Sequence, residues 1–223
     1  MRCIEAADAT APVHLELTRI LTCPHCGPEH GLIAFVDRME DRRIVAGRLD
    51  CPVCERRHTV REGTVFLGGD APDDGEVPSG DAALEGLPEP ATTAAALLGP
   101  PRGPEILLLA GGAEPLASTM ADLRPHAAVV TCGRARSEKH PRVYPVVPSR
   151  AGSVGSHLPF RAGSFGGAVL TGGAPGLVSG VVPALEEGAR LVVLAPRVGA
   201  AGVAARSLRE LASDARAWVG VRA

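Results

Sequence analysis

The sequence predicts an α/β protein in which a small β-rich unit precedes a doubly wound, mostly parallel sheet. Three observations support this prediction. Two C-x-x-C pairs lie close together near the N-terminus, residues 68–103 are rich in Gly, Pro, Asp and Ala, and residues 104–223 alternate apolar runs with helix-like segments. The predicted units are therefore residues 1–67, a linker with a helical lead-in at 68–103, and an α/β domain at 104–223.

Composition argues against several classes of protein. The chain has 223 residues, is 45% hydrophobic and carries a formal net charge of −2, so it can form a packed core but lacks the basic excess typical of nucleic-acid binders. Aromatic residues that could stack on bases make up only 3% of the chain. No apolar run is long enough to span a bilayer, and residues 1–17 lack the apolar region of a signal peptide. We therefore expect a cytoplasmic protein with no membrane partner; a nucleic-acid partner is not indicated, and the composition leaves open only a local arginine patch.

Four cysteines form two short motifs of the same kind, Cys23-Pro24-His25-Cys26 and Cys51-Pro52-Val53-Cys54. Each motif, or knuckle, brings two thiolates together on a tight turn, and two knuckles provide a closed tetrahedral site for structural zinc. We predict zinc bound by Cys23, Cys26, Cys51 and Cys54, with no open position for an activated water. The intervening stretch has room for a hairpin with strands at 32–36 and 43–49. These features predict a zinc ribbon.

The cysteines have an alternative redox interpretation, and three nearby histidines are alternative metal ligands. Two redox C-x-x-C motifs are the alternative, but the thioredoxin-like strand–helix context is missing. His25, His30 and His58 are alternative ligands, and because four thiolates suffice we expect these histidines at the surface. Cys3 and Cys132 are expected to be structural.

The C-terminal part alternates predicted strands and helices. The predicted strands are 105–110, 127–131, 143–147, 167–171, 190–195 and a short one at 219–221. The predicted helices are 114–123, 177–187 and 203–217, preceded by helical structure within 81–98 that Pro88 and Pro90 interrupt. This alternation predicts a Rossmann-like sheet.

The segments around the cysteines, TRILTCPHC and RLDCPVCERRHTVREGTVFL, resemble the small zinc-ribbon family of methyltransferase activator subunits. The resemblance covers about residues 15–67, and Thr64-Val65 replaces the Ile-Pro that usually follows the glycine. It implies a ribbon that adds strands to a methyltransferase partner and covers an apolar surface there. We therefore expect the ribbon to pack on the α/β domain or on a protein partner, either a methyltransferase or its target complex.

A second resemblance concerns residues 104–197. The segment LPFRAGSFGGAVL at 158–170 resembles the L-P-F-x-D-x-S-F-D-x-V segment of class I S-adenosylmethionine-dependent methyltransferases. EILLLAGGAEP takes the place of the first strand and its glycine-rich turn in that family. The resemblance implies S-adenosylmethionine binding at Gly111, Gly112 and Glu114.

The residues that should contact this cofactor depart from the family pattern. Leu108 stands in place of the first-strand acid, Glu114 in place of the last glycine, and the second strand ends in Thr131-Cys132-Gly133 without an acid. The remaining substitutions are Arg150 after the third strand and Ala162 and Gly166 in the 158–170 segment. Each lost charge-assisted hydrogen bond forfeits roughly 1.5–3 kcal/mol. We also expect 133–142 to be too short for a full helix, and one helix and one short strand where active enzymes have a terminal hairpin.

Three functions follow from these patterns. The first is a zinc-binding protein with a degenerate methyltransferase-like domain, no catalytic residues and an interaction or regulatory role. The second is an active methyltransferase with a built-in ribbon activator, in which Glu114 or Ser118 replaces lost contacts. The third is a different α/β domain that binds another nucleotide on the Gly111-Gly112 turn. Two further groups are interpreted as solvated surface, the loop with Ser153, Ser156 and His157 and the basic run with Arg134, Arg136 and Lys139.

Overall fold

The computed structural model describes residues 17–68, 84–133, 140–148, 158–172, 175–196 and 208–223. The strands are β1 (Thr22–Cys23), β2 (Gly27–Gly31), β3 (Ile33–Glu40), β4 (Arg43–Asp50), β5 (Arg57–Arg61), β6 (Thr64–Phe66), β7 (Glu105–Ala110), β8 (Ala127–Cys132), β9 (Val143–Val147), β10 (Phe165–Thr171), β11 (Leu185–Leu194), β12 (Arg209–Ser213) and β13 (Ala217–Val221). The helices are α1 (Pro90–Leu97), α2 (Ala117–Leu123) and α3 (Pro175–Val181). None of the helices in these ranges is long and apolar enough to cross a membrane.

The C-terminal part is a mixed α/β fold built on a large sheet whose central strands are parallel. Strands β9, β8, β7, β10 and β11 lie side by side in that order and all pair in parallel. The strand order reverses between β7 and β10, which is where open α/β sheets bind ligands beyond their carboxyl ends. The fold is consistent with the predicted methyltransferase-like Rossmann fold.

The strands of the predicted ribbon, β3–β6, hereafter called the ribbon, join this sheet directly. Strand β6 pairs in parallel with β9, with Val65 opposite Val146 and Phe66 opposite Val147. The backbone N–H of Leu67 donates to the carbonyl of Val147 at 2.9 Å. Strands β5, β4 and β3 then follow with antiparallel pairing, so that eleven strands form one sheet in the described residues. The expected packing of the ribbon on the α/β domain is therefore present within this chain.

A second contact between the two units runs through the 158–170 segment. The Thr22 N–H donates to the Pro159 carbonyl at 2.9 Å, and the Arg161 N–H donates to the Ile20 carbonyl at 2.8 Å. Phe160 packs edge-on against Phe165, with ring centroids 5.0 Å apart, and both rings are buried. The segment resembling methyltransferases thus supplies two buried rings, one of them on β10, and also binds the chain entering the ribbon.

Each face of the sheet has its own apolar core. Leu107 and Leu109 point toward the face covered by α1 and α2, whereas Leu108 and Ala110 point toward the opposite face, because side chains alternate along a strand. The core on the face of Leu108 and Ala110 also contains the inner face of the ribbon, formed by Ile44, Leu49, Val60 and Val65. The ribbon therefore extends one of the two cores of the α/β domain.

The predicted helix at 203–217 is wrong. Residues 203–207 lie outside the described residues, and β12 and β13 form an antiparallel hairpin from Arg209 onward. Leu208, Leu211, Ala215 and Trp218 have helical spacing, but Leu211 is exposed whereas Trp218 is buried in β13. The Trp218 indole N–H donates to the Glu210 carboxylate at 2.6 Å across the hairpin. The chain therefore has the terminal hairpin whose absence the sequence suggested.

The predicted helix at 177–187 is also too long. Helix α3 ends at Val181, a 3-10 turn follows at Val182–Ala184, and β11 begins at Leu185. Pro183 lies in that turn and explains why the helix ends, because proline lacks the N–H that an α-helix needs and clashes with the preceding turn. The other elements agree more closely: β7 and β9 have their predicted bounds, and the predicted helix at 114–123 is a 3-10 turn, Glu114–Leu116, followed by α2.

Candidate metal centre and cofactor cleft

The four predicted cysteines come together at one point. Their sulfur atoms all lie within 4.8 Å of one another. The Sγ atoms of Cys23 and Cys54 are 3.6 Å apart, and those of Cys51 and Cys26 are 3.7 Å apart. A tetrahedral zinc site with Zn–S bonds of 2.3 Å requires sulfur atoms about 3.8 Å apart. The cluster therefore has the size and the ligand chemistry of a four-thiolate zinc site.

The two knuckles have matching local structures. Cys23 ends β1, and its partner Cys26 precedes Gly27, which has φ 96°. Cys51 follows β4, and Cys54 precedes Glu55, which has φ 57°. Each knuckle thus ends in the left-handed region that glycine adopts at least cost, and only the first knuckle has a glycine there.

Backbone amides stabilise the thiolate form of the first cysteine in each knuckle. The Cys51 sulfur accepts hydrogen bonds from the backbone N–H groups of Cys54 and Val53, and its pKa falls to about 7 although burial opposes this. Cys23 accepts from Cys26 and His25 in the same way, but its burial is the larger effect and raises the pKa. Cys23 and Cys51 are buried, and Cys26 and Cys54 are half-buried. These backbone N–H groups therefore donate to sulfur atoms that would also bind the metal ion.

The histidines near the cluster occupy different environments. His25 is exposed and His30 half-buried, so neither contradicts the expected surface position. His58 is buried, which corrects the expectation that it is a surface residue. It lies on the inner face of β5 opposite Leu49, and its Nδ1 accepts the N–H of Gly68 at 3.1 Å. Burial, reinforced by the charge of Arg56, lowers the His58 pKa, so the ring is a neutral part of the ribbon core.

The second candidate site lies at the turn after β7. Gly111 and Gly112 have φ values of 65° and 99°, which explains why glycines are needed there. The Thr171 hydroxyl at the end of β10 donates to the Gly111 carbonyl at 2.5 Å. A Cβ at Gly111 would lie 2.5 Å from Leu177 Cδ2, so the side chain of Leu177 packs directly on the turn. Leu177 was not among the predicted site residues, because α3 gives no motif that marks it.

Glu114 reaches across to the neighbouring strand. Its carboxylate lies against Gly133, just after β8, where a Cβ would overlap the Glu114 carboxylate. Burial raises the pKa of the Cys132 thiol to about 12, and the nearby charge of Glu114 adds to the effect. Glu114 therefore brings a negative charge to the carboxyl end of β8, where the strand itself ends without an acid.

Several residues at this site differ from those that the resemblance implies for S-adenosylmethionine binding. Leu108 is fully buried in the sheet, and Cys132 is a buried thiol that serves the structural role expected of it. Gly111 is covered in part by Leu177, and the space at Gly133 is taken by Glu114. Other residues named in the sequence analysis lie outside the described residues: Cys3, Arg134, Arg136, Lys139, Arg150, Ser153, Ser156 and His157.

Sequence reasoning missed a residue that joins the two units. The Arg43 guanidinium at the start of β4 donates to the carbonyls of His140 and Val143, at 3.3 and 3.0 Å. It also lies over the Tyr144 ring, 5.6 Å from the centroid. No local pattern distinguishes Arg43 from its neighbour Arg42, since both contacts are distant in sequence.

Comparisons with known proteins show a similarity of general fold and no sequence family. No family model and no curated protein matches the chain. Among solved structures, the antibiotic-resistance methyltransferase Kmr is 13% identical over 61% of this chain and 94% of its own, with a TM-score of 0.39. Geranyl diphosphate C-methyltransferase from Streptomyces coelicolor is 19% identical over 46% of this chain and 41% of its own, with a TM-score of 0.37. Similarities at this level are too weak to carry over an activity, a substrate or a site residue.

Proposed function

We propose that this chain is a zinc-stabilised protein whose methyltransferase-like domain binds partners and does not transfer methyl groups. The proposal rests on one observation: Leu177 packs on Gly111, in the turn where the resemblance implies a cofactor, and the Glu114 carboxylate takes the space at Gly133 after β8. A bound methionine group needs exposed backbone at such a turn, and here the Leu177 side chain lies against it. Strands β7 and β8 themselves also lack the acids that the resemblance implies there.

The metal centre supports the same proposal. Four thiolates complete the coordination of zinc and leave no position for a reacting water, so zinc would stabilise the ribbon and not take part in catalysis. The ribbon is in turn paired with β9. The interaction that the activator family makes with a separate methyltransferase would then be made within one chain.

Calorimetry with S-adenosylmethionine tests the absence of methyl transfer. We expect no binding heat at millimolar cofactor with the zinc-loaded chain, and no transfer of labelled methyl groups to cell extract. Submicromolar binding together with transfer that Gly112→Arg abolishes would refute the proposal. Gly163→Arg is the matched control, because Gly163 also has a positive φ but has open space around it.

The second candidate is an active methyltransferase, and one specific observation favours it. The Glu114 carboxylate lies at the carboxyl end of β8, where the family resemblance places an acid that binds the ribose hydroxyls. In that case Glu114→Gln should weaken S-adenosylmethionine binding at least 10-fold, since a charge-assisted hydrogen bond contributes about 1.5–3 kcal/mol. Equal and negligible binding by both proteins supports the first proposal.

A further inference from the structure

The few aromatic side chains of this protein fall into two groups. Four of the six are buried in the cores: Tyr144, Phe160, Phe165 and Trp218. The other two, Phe35 and Phe66, lie on the face of β3–β6 opposite the core, here called the outer ribbon face. Phe35 is 42% exposed, and Phe66 is half-buried. In a chain so poor in aromatics, both rings outside the cores share one surface.

Strand register places the two rings in one row. Phe35 lies opposite Arg48, Arg48 opposite Thr59, and Thr59 opposite Phe66. Directly opposed residues on neighbouring strands point to the same face, so these four side chains cross the outer ribbon face from β3 to β6. The two rings are three strand spacings apart, or about 14 Å.

Arginine side chains accompany both rings. The Arg48 guanidinium lies over the Phe35 ring at 4.3 Å from its centroid, and that of Arg61 lies 5.8 Å from the centroid of Phe66. Arg57 is two residues from Thr59 on β5 and therefore points to the same face. Asp50 also points to this face, where it pairs with Arg48 at 3.1 Å. Three arginines and one aspartate leave this surface locally positive.

We propose that the outer ribbon face binds single-stranded nucleic acid, with one base stacked on the Arg48 guanidinium that Phe35 supports, another stacked on Phe66, and phosphates beside Arg57 and Arg61. Bases stack on aromatic rings and on guanidinium planes, and a four-stranded sheet that presents aromatics can stack two or three bases. The positive face complements the phosphate charge. A duplex offers no free base faces and fits this surface poorly. The proposal does not depend on whether the cofactor cleft is used.

This proposal departs from the interpretation of the composition, which does not indicate a nucleic-acid partner. That interpretation came from the net charge of −2, which averages over all faces of the molecule. Binding to a surface depends on the charge of that surface. Because successive side chains of a strand point to opposite faces, the arginines lie on the outer ribbon face and the apolar residues on the inner face.

Fluorescence anisotropy with a labelled 12-nucleotide single strand of mixed sequence tests the proposal, using the full zinc-loaded chain at 50 mM salt. We expect micromolar binding that weakens with salt with a log–log slope of about −1.4, the value for two phosphate contacts at −0.7 each. Phe66→Ala should weaken binding about 10-fold, because stacking on an aromatic ring contributes roughly 1–3 kcal/mol per base. Arg57→Gln should make the slope shallower by about 0.7.

Two variants at the opposite end of the sheet serve as controls. Leu211→Ala removes an exposed apolar side chain, and Arg216→Gln removes an exposed charge. Both should bind as the unmodified chain does. The proposal is overturned by no binding at 100 µM protein, by equal losses in the control variants, or by a duplex of the same sequence binding as tightly. Equal binding of poly-glutamate would also overturn it, because that would identify an acidic peptide as the ligand.

Discussion

The ribbon strands β3–β6 and the central strands β7–β11 belong to one sheet, yet they are covered differently. Every residue of β8 is buried, and helices or ribbon residues cover both of its faces. In β3 no residue is buried, and Ile33, Phe35, Val36 and Met39 are between 40% and 50% exposed. A sheet covered on one face buries less apolar surface per strand, so the ribbon depends on other sources of stability.

Two contacts supply this stability to the ribbon. The inner face of the ribbon packs on the α/β domain, and the cysteine cluster closes the end where β1, β2 and β4 meet. The α/β domain shares one core with the ribbon, and its other core, under α1 and α2, contains no ribbon residue among those described. Loss of the metal centre should therefore affect the two regions unequally.

The largest effect is expected from removing a metal ligand. Cys51→Ser should abolish zinc binding and unfold the ribbon, since structural zinc contributes apparent free energies of about 10–16 kcal/mol in small zinc domains. Elemental analysis should show one zinc per unmodified chain and none in the variant. Hydrogen exchange should then rise in β1–β5 and stay slow in β7, β8 and β10. Cys132→Ser, which changes a buried cysteine outside the cluster, should keep its zinc. A metal-free chain with protected ribbon amides would contradict this prediction.

A smaller effect is expected at the junction of the two regions. A protease site inserted between Gly75 and Glu76 should yield two fragments that still elute together at micromolar concentration, held by the β6–β9 pairing. Val65→Asp should separate the cleaved fragments, because it buries an unpaired carboxylate at a cost of several kcal/mol. Val36→Asp, at a side chain that is 40% exposed on β3 and away from the cysteine cluster, is the control and should not separate them. Separation of the unmodified fragments would show that the junction contributes little.

Within the ribbon, Gly47 is expected to be sensitive to substitution. A Cβ at Gly47 on β4 would overlap the Phe35 carbonyl oxygen on β3, and backbone cannot move aside as a flexible side chain can. Gly47→Ala should lower the free energy of unfolding by about 1–3 kcal/mol in urea titrations of the zinc-loaded chain. Gly86→Ala, where a Cβ meets nothing within 4 Å, should have little effect. Equal stability of the two variants would contradict the close approach of β3 and β4.

The smallest expected effect is a gain in stability at the second knuckle. Glu55 has φ 57°, in the region where a side chain costs about 1–2 kcal/mol, whereas the first knuckle has Gly27 at the matching position. Glu55→Gly should raise the free energy of unfolding by about 1 kcal/mol, measured by thermal melting with zinc bound. Glu55→Ala keeps the strain and should give no gain. If alanine stabilised as much as glycine, the cause would be the lost charge and not the backbone.

The success of the sequence-based predictions depended on how local each signal was. Strand β7 was predicted residue for residue, because a continuous apolar run between turn residues fits a strand buried on both faces. The structure of the segment at 203–217 was predicted wrongly. A helix and a hairpin both accommodate the spacing of its apolar residues, which are Leu208, Leu211, Ala215 and Trp218. Pairing of β13 with both β11 and β12 decided between them. His58 was expected at the surface because four cysteines already complete the metal site, and its burial follows from the position of β5 between β4 and β6, which no local pattern shows.

The sequence by itself determined the four metal-ligand candidates and the succession of strands in the α/β domain. Both depend on spacing along the chain, namely two residues between cysteines and apolar runs of strand length. Only the tertiary structure decided that β6 pairs with β9, that the Glu114 carboxylate lies on Gly133, and that Phe35 and Phe66 share one face. These contacts join segments that are distant in sequence or on non-adjacent strands, and they are fixed by sheet register and side-chain packing, which no local pattern specifies.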